Sequence, residues 1–210
     1  MEYIISLDIS STNTGIVIMC NDKIINHGQI KNNQHENMAN LLTSVLDVYK
    51  KTADQQCADV VIVLETFTDT IHKNNRVGNS YQRVAIVEVV KSFARNNKIQ
   101  VFEFLPWSWR YHFDLPTKVV SPNDNFKLKD MAKNLGHDIL KRESLLYVTE
   151  HREELGLDTM DMIATDDEAE ALLILNAWLR NGRQSDHRNF RKLYTITKSD
   201  IIEALNDLFK

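Results

Sequence analysis

Four acidic residues stand where a carboxylate could take part in chemistry. Asp8 lies within an otherwise apolar run, YIISLDIS, and Glu65 closes a second apolar run, DVVIVLE. Asp167 and Glu170 are three residues apart, so a helix would present them on one face. An ionised carboxylate is costly to bury without a partner or a cation. We therefore take these four residues as candidates for one shared site.

Carboxylates that converge from two strands and a helix favour a particular kind of ligand. Their mutual repulsion is unfavourable unless a cation neutralises it. Oxygen-only ligands select Mg²⁺ or Mn²⁺ over softer metals. Two such ions about 4 Å apart can activate a water and stabilise the leaving oxygen in phosphodiester hydrolysis. The four acids thus predict a two-metal site.

Each acid also has an ordinary structural explanation when it is taken alone. A strand aspartate can be a structural hydrogen-bonding group, and Glu65 could simply begin a loop. The run Asp166, Asp167 and Glu168 suits the start of a helix, where the helix dipole favours acids without any metal. The order of the acids along the predicted elements favours the metal site over three separate explanations.

The apolar patterns predict an α/β fold that could position these acids. Three closely spaced strands predict an antiparallel meander, and strands alternating with helices predict crossover connections. The result is a mixed five-stranded sheet with helices on both faces. Strands are predicted at 3–10, 16–20, 23–30, 59–65 and 99–105, and helices near 38–49, 84–94, 127–142 and 166–180. Residues 106–125 hold all three prolines and predict a loop with a short helix at most.

Composition limits the remaining possibilities. The chain has 210 residues and 43% are hydrophobic, which suits one domain over 1–180 and a C-terminal appendage over 181–210 with a linker, a strand and a helix. No apolar run approaches the roughly 20 residues that span a membrane, and no signal peptide is evident, so we expect a cytoplasmic protein. Cys20 and Cys57 belong to no CxxC pair, which predicts buried, reduced thiols and no zinc.

Several segments resemble motifs of one enzyme family. LDISSTNTG (7–15), IVLETF (62–67) and DEAEALLI (167–174) resemble the three acidic motifs of the RuvC-type Holliday junction resolvases. YQRVAIVEVV (81–90) and IQVFEFLP (99–106) resemble the second helix and fifth strand of that family. The resemblance spans about residues 3–180. It places the chain among ribonuclease H-like nucleases of bacterial or bacteriophage type.

The resemblance implies a function and a set of site residues. It implies a Mg²⁺-dependent DNA endonuclease of recombination and repair that resolves four-way junctions, with two ions per active site and Mn²⁺ able to substitute. Asp8, Glu65, Asp167 and Glu170 would be the catalytic metal ligands. The family more often has Asp where Glu170 stands, so its neighbours in sequence, Asp166 and Glu168, are the alternatives at that position.

The resemblance also implies partners. Family members are homodimers whose two active sites face a branched DNA substrate, and an aromatic wedge often follows the second-motif Glu. Phe67 lies near that place, one residue early, and ordinary core packing is the alternative explanation. The tail over 181–210 has no counterpart that we can place.

Basic residues near the acids are candidates for contacts with DNA phosphates. They form two groups, Lys73, Arg76 and Arg83 after the second acid, and Lys127, Lys129 and Lys133 on the later helix. A solvated helix face is the alternative for each. The aromatic residues Trp107, Trp109, Tyr111 and Phe113 favour core or dimer packing over base stacking. The formal net charge of −4 argues mildly against nucleic acid without deciding the matter.

Three other functions remain open at this point. An actin-like or sugar kinase-type ATPase also begins with an acidic strand and a Ser/Thr-Gly turn, although only six glycines and no glycine pair are present. A catalytically inactive binding module of the same fold would be expected to lose one or more of the acids. A RuvC-like nuclease could instead act on other branched DNA or on RNA precursors.

Overall fold

The structure is a computed structural model that describes residues 1–32, 37–66, 77–113, 115, 129–136, 138–139 and 165–186. The strands are β1 (Glu2–Asp8), β2 (Asn13–Cys20), β3 (Lys23–Lys31), β4 (Asp59–Glu65) and β5 (Gln100–Phe104). The helices are α1 (Met38–Gln55), α2 (Val77–Asn96), α3 (Pro106–Tyr111), α4 (129–136) and α5 (Asp166–Arg180).

The five strands form one mixed sheet in the order β3-β2-β1-β4-β5. The first three are antiparallel neighbours, and β4 and β5 run parallel to β1. This arrangement confirms the predicted meander followed by βαβ crossovers, which is the ribonuclease H-like sheet. Short connections join the antiparallel strands, whereas the parallel ones need helices to return the chain.

Helices cover both faces of the sheet, as predicted. One face packs against α1 and α2 through side chains such as Leu42, Leu46 and Val90. The opposite face packs against α3, α4 and α5, and that core includes Trp109 and Trp178. Because both faces are covered, β1 and β4 consist almost entirely of buried residues.

The first strand ends earlier than its apolar pattern predicts. We expected it to extend over 3–10 with Asp8 in its middle, but β1 ends at Asp8. The reason is the turn that follows, in which Ser10 Oγ accepts backbone N–H groups of Thr12 and Asn13. Asp8 is therefore the last residue of a buried strand, as Glu65 is of β4.

Helix α5 lies directly over the centre of the sheet. A capping box holds its start, with Thr165 Oγ1 accepting the N–H of Glu168 and the Glu168 carboxylate accepting the N–H of Thr165. The hydroxyl of Ser6 on β1 donates to the carbonyl of Ala171 at 2.7 Å. These bonds fix both the position of α5 along β1 and the direction of its first turn.

The chain does not leave the domain when α5 ends. Residues 181–186, predicted to begin a polar linker, return to β5, where Asp186 forms a parallel bridge with Phe104. Ser185 Oγ accepts the N–H of Glu103, and Ser108 Oγ donates to the carbonyl of Asp186. The strand and helix predicted within 187–210 lie outside the described residues.

The two cysteines differ in burial. Cys20 is buried as expected, but Cys57 is exposed. The prediction for Cys57 was wrong because this residue lies in the turn between α1 and β4, with a positive φ of 52°. In the part of the chain that the structure describes, no helix is long and apolar enough to span a membrane.

Candidate active site

The first two candidate acids are next to each other at one end of the sheet. The last pair in the register of β1 and β4 is Leu7–Leu64, so Asp8 and Glu65 are the next residues on adjacent parallel strands. Side chains alternate along a strand, and Ser6 of β1 and Val63 of β4 both belong to the α5 side of the sheet. Asp8 and Glu65 therefore face α5 as well, and both are buried.

A glycine lets α5 approach this pair. Gly15 on β2 is opposite Asp8 on β1. A Cβ at Gly15 would lie 1.8 Å from the backbone carbonyl oxygen of Asp167, which is far inside van der Waals contact. Only a residue without a side chain permits this separation. Gly15 thus sets how closely the first turn of α5 approaches β2 and the end of β1, where Asp8 lies.

The acids in the first turn of α5 have separate partners. Asp166 pairs with Lys129 of α4, and Glu168 pairs with His27 of β3. The amide of Gln29 donates to Asp167 Oδ2 at 2.5 Å. Asp166 and Glu168, the sequence alternatives to Glu170, thus each have an ion-pair partner.

Asp8 is a buried carboxylate with an oxygen that lacks a hydrogen-bond partner among the described residues. It is 3% exposed, and that oxygen is Oδ1. Burial raises the pKa of Asp8 well above its ordinary value, and the charges of Glu170 and Glu65 raise it further. The guanidinium of Arg83 opposes this rise. An orphaned, buried carboxylate oxygen among other carboxylates is a position where a cation would be stabilised.

Glu65 and Glu170 share this environment. Burial raises the pKa of Glu170 to about 7, and the charge of Glu65 adds to the effect. Burial also raises the pKa of Glu65, although a hydrogen bond from Trp109 and the charge of Arg110 lower it in part. The Trp109 indole Nε1 lies 2.5 Å from Glu65 Oε2. Burial likewise raises the pKa of Asp167, and the neighbouring charge of Asp166 adds to it.

The donor atoms suit a hard divalent cation, but they do not form a closed shell. All four candidates supply carboxylate oxygens, the ligand type that Mg²⁺ and Mn²⁺ prefer. Within the described ranges, no group of three or more His, Cys, Asp or Glu side chains forms a ready-made metal site. Like charges repel one another, and two of the acids accept hydrogen bonds, Glu65 from Trp109 and Asp167 from Gln29. The acids would have to draw together around an ion.

Three of the candidate phosphate-binding residues are described. Arg83 donates from Nε to the carbonyl of Ile9 at 3.2 Å, which places it beside the end of β1. Lys129 and Lys133 are on α4, and the charge of each lowers the pKa of Asp166, although burial of that carboxyl acts in the opposite direction. The other candidates lie outside the described residues, and so does the proposed wedge: Lys73, Arg76, Lys127 and Phe67.

Sequence reasoning missed several residues that shape the site. Gln29 and His27 are on β3, where an alternating pattern gave no sign that they would contact acids of α5. Trp109 was assigned to packing, and it is indeed fully buried, but its N–H also contacts Glu65. Gly15 was noted only as part of a turn motif. The only sequence signal of the close approach between β2 and α5 was this glycine in the TNTG segment (12–15).

Comparison with known proteins gives a structural likeness only. No protein-family model matches the chain, and no curated protein matches it in sequence. The RuvC structure of Thermus thermophilus superposes with a TM-score of 0.50 at 12% identity, covering 87% of this chain and 98% of that one. RuvC of T. thermophilus in complex with Holliday junction substrate gives a TM-score of 0.47 at 12% identity, covering 88% and 99%.

At 12% identity the likeness to the RuvC structure reports on architecture and not on activity. The order of the strands and the helices on both faces agree with it. The chain therefore has the ribonuclease H-like fold of RuvC.

Proposed function

We propose that this protein is a Mg²⁺-dependent, structure-selective DNA endonuclease that resolves four-way junctions. One observation carries the proposal: the buried Asp8 carboxylate, with an oxygen that lacks a hydrogen-bond partner among the described residues, is close enough to Glu65 and Glu170 for their charges to raise its pKa beyond the effect of burial. The RuvC fold and the three acidic motifs support it. Fold alone would leave the activity open.

The four acids are proposed as the ligands of two Mg²⁺ ions, with Mn²⁺ able to substitute. Such a pair, when bound, supplies the charge that activates a water and stabilises the leaving oxygen of a phosphodiester. The protein contributes the positions of the carboxylates, fixed by two adjacent strand ends and one helix turn. Asp167 accepts a hydrogen bond from Gln29 at Oδ2 and would be the third ligand, and Glu170 is the proposed fourth ligand ahead of Asp166 and Glu168.

Nearby cations would hold the substrate. Arg83 is beside the end of β1 and lowers the pKa of Asp8 and Glu65 against the effect of their burial, so its charge reaches the proposed ion site. Lys129 and Lys133 on α4 extend positive charge along the acidic start of α5. Phosphate oxygens are the natural partners of such side chains. Lys73, Arg76 and Lys127 are proposed for the same role and Phe67 as a junction wedge, on the sequence resemblance alone.

An ATPase is less well supported by the turn after Asp8. A phosphate-binding turn needs backbone N–H groups that point at the ligand. Here the N–H groups of Thr12 and Asn13 are directed to Ser10 Oγ, and the N–H of Ser10 is directed to Thr14 Oγ1. These bonds close the turn on itself.

The proposal is tested by cleavage of synthetic DNA. The purified protein is incubated with four-way, three-way, flap and linear DNA, and with structured RNA, in Mg²⁺ or in EDTA. We expect Mg²⁺-dependent, paired and ligatable cuts in the four-way junction and much slower cutting of linear duplex. Preferential cutting of a flap or of RNA would reassign the substrate. ATP hydrolysis without any nuclease activity would overturn the proposal.

A further inference from the structure

Trp109 occupies an unusual position for a core tryptophan. Its ring is fully buried in the core beneath α5, yet its N–H is 2.5 Å from a carboxylate oxygen of Glu65. A buried indole usually finds some hydrogen-bond acceptor. In this molecule the acceptor is one of the four acids proposed to bind the ions.

The backbone explains how Trp109 reaches Glu65. Glu65 and Phe104 are partners in the parallel register of β4 and β5. The chain turns at Leu105, the N-cap of α3, and Pro106 follows as the first helical residue. The short helix α3 therefore starts beside Glu65. It places Trp109 on the side of the sheet that packs against α5. Burial of the ring then fixes where its N–H points.

The hydrogen bond from Trp109 restrains Glu65 against repulsion by the neighbouring carboxylates. The charge of Glu65 raises the pKa of Asp8 and of Glu170, beyond the effect of their burial, so the three carboxylates repel one another before any ion is bound. A glutamate side chain has three rotatable bonds and could turn away from its neighbours. A donor on an immobile ring restrains Oε2 and leaves Oε1 as the oxygen for an ion. Partners of this kind commonly orient metal ligands and contribute to affinity.

We infer that Trp109 is a positioning residue, whose indole N–H holds Glu65 in the orientation that binds a divalent cation. The inference rests on the proposed function, because it requires Glu65 to be a ligand. It assigns no chemical step to Trp109, whose side chain is fully buried.

The test measures metal binding in matched tryptophan variants. Trp109→Phe removes the N–H and keeps an aromatic ring. Trp178→Phe is the control, because Trp178 is also buried but its Nε1 has no hydrogen-bond partner among the described residues. Titration calorimetry with Mn²⁺ alone should show an affinity lowered by about 10-fold or more in Trp109→Phe, as for lost partners of other metal ligands. Trp178→Phe should bind Mn²⁺ as the unsubstituted protein does.

Cleavage assays provide a second signature. Loss of a positioning residue should raise the Mg²⁺ concentration at half-maximal rate while leaving much of the rate at saturating Mg²⁺. A general loss of packing would lower the rate at every concentration. Equal Mn²⁺ affinity in Trp109→Phe and the unsubstituted protein would overturn the role of Trp109 and leave the nuclease proposal standing. Absence of Mn²⁺ binding by the unsubstituted protein would overturn both.

A measurement on the unsubstituted protein covers the case in which Trp109→Phe does not fold. The chain has three tryptophans, so its indole N–H resonances can be assigned with Trp107→Phe and Trp178→Phe. Addition of Mg²⁺ should shift the Trp109 resonance and leave that of Trp178 in place. A Trp109 resonance that does not move while calorimetry detects binding would overturn the inference.

Discussion

At the scale of single residues, the site depends on carboxylates that burial makes costly to ionise. Asp8, Glu65, Asp167 and Glu170 all have raised pKa values, with desolvation as the largest cause. Asp166 differs. Burial acts to raise its pKa, but the hydrogen bond and charge of Lys129, a backbone hydrogen bond and the charge of Lys133 together lower it. The acids proposed as ligands are thus the ones whose partners do not offset the effect of burial, and a bound cation would stabilise their charged form.

Replacing Asp8 with a neutral residue should abolish most of the cleavage activity without lowering the stability of the fold. Asp8→Asn should reduce Mg²⁺-dependent cleavage by more than about 100-fold, since loss of even an outer partner of a ligand costs about 10- to 100-fold. In EDTA its melting temperature should equal or exceed that of the unsubstituted protein by a few degrees, because repulsion is relieved. Asp47→Asn, on the exposed side of α1, is the control and should change neither quantity. Normal cleavage by Asp8→Asn would exclude the two-metal assignment.

The pH dependence of the metal-free protein should report on Glu170. Its ordinary pKa is 4.5 and the folded value is about 7, so the folded state binds more protons between these limits. The contribution of Glu170 to stability therefore falls as pH rises from about 4.5 to about 7. In EDTA, Glu170→Gln should gain melting temperature relative to the unsubstituted protein at pH 8 and little at pH 5. If the two proteins differed in melting temperature by the same amount at every pH in this range, the raised pKa of Glu170 would be contradicted.

At the scale of elements, the sequence predicted the strands and helices but not how closely α5 approaches β2. Apolar runs and helical spacing identified all five strands, α1, α2 and α5. Burial on one face imposes a period on the sequence, and burial on both faces gives a continuous apolar run, as in β1 and β4. The distance between β2 and α5 depends on Gly15 and on long-range contacts such as Ser6 to Ala171, which leave no local pattern. The separate partners of Asp166 and Glu168 likewise come from β3 and α4, elements far away in sequence.

The close approach of α5 can be tested with two glycines of the same hairpin. Gly15→Ala would place a methyl group against the Asp167 carbonyl, and we expect a loss of about 2 kcal/mol or more together with lost cleavage. Gly28→Ala is the control, because a Cβ there meets nothing within 4 Å. Its stability should change by no more than about 0.5 kcal/mol. Denaturant unfolding measures both, and equal effects would show that Gly15 does not set the position of α5.

At the scale of the whole molecule, the proposed substrate calls for two active sites. A four-way junction is nearly two-fold symmetric, and an isologous dimer presents identical sites to opposite strands. Of the aromatic run assigned to core or dimer packing, Trp109 lies in the core, whereas Tyr111 is 65% exposed. The division into a domain over 1–180 and an appendage over 181–210 remains a proposal, and residues 181–186 already pack on β5.

We expect a homodimer in solution. Sedimentation velocity at micromolar concentration should give about twice 24.3 kDa, and dilution should reveal the dissociation constant. Paired cuts in a junction should then occur at a rate that depends on the dimer fraction. A particle that remains monomeric even with junction DNA would contradict the symmetric model of resolution and would favour a nuclease that makes single cuts.

The bond between Ser6 and Ala171 has a consequence for the newly made protein. These residues are 165 positions apart, so the strand that carries Asp8 leaves the ribosome long before the helix that carries Glu170. During synthesis, β1 to β5 can pair while two of the four acids are still absent. If the proposed function holds, the nascent chain cannot cut DNA until α5 has emerged and docked. Because Asp167 and Glu170 come late in the chain, nuclease activity would then begin only after synthesis of the domain is almost complete.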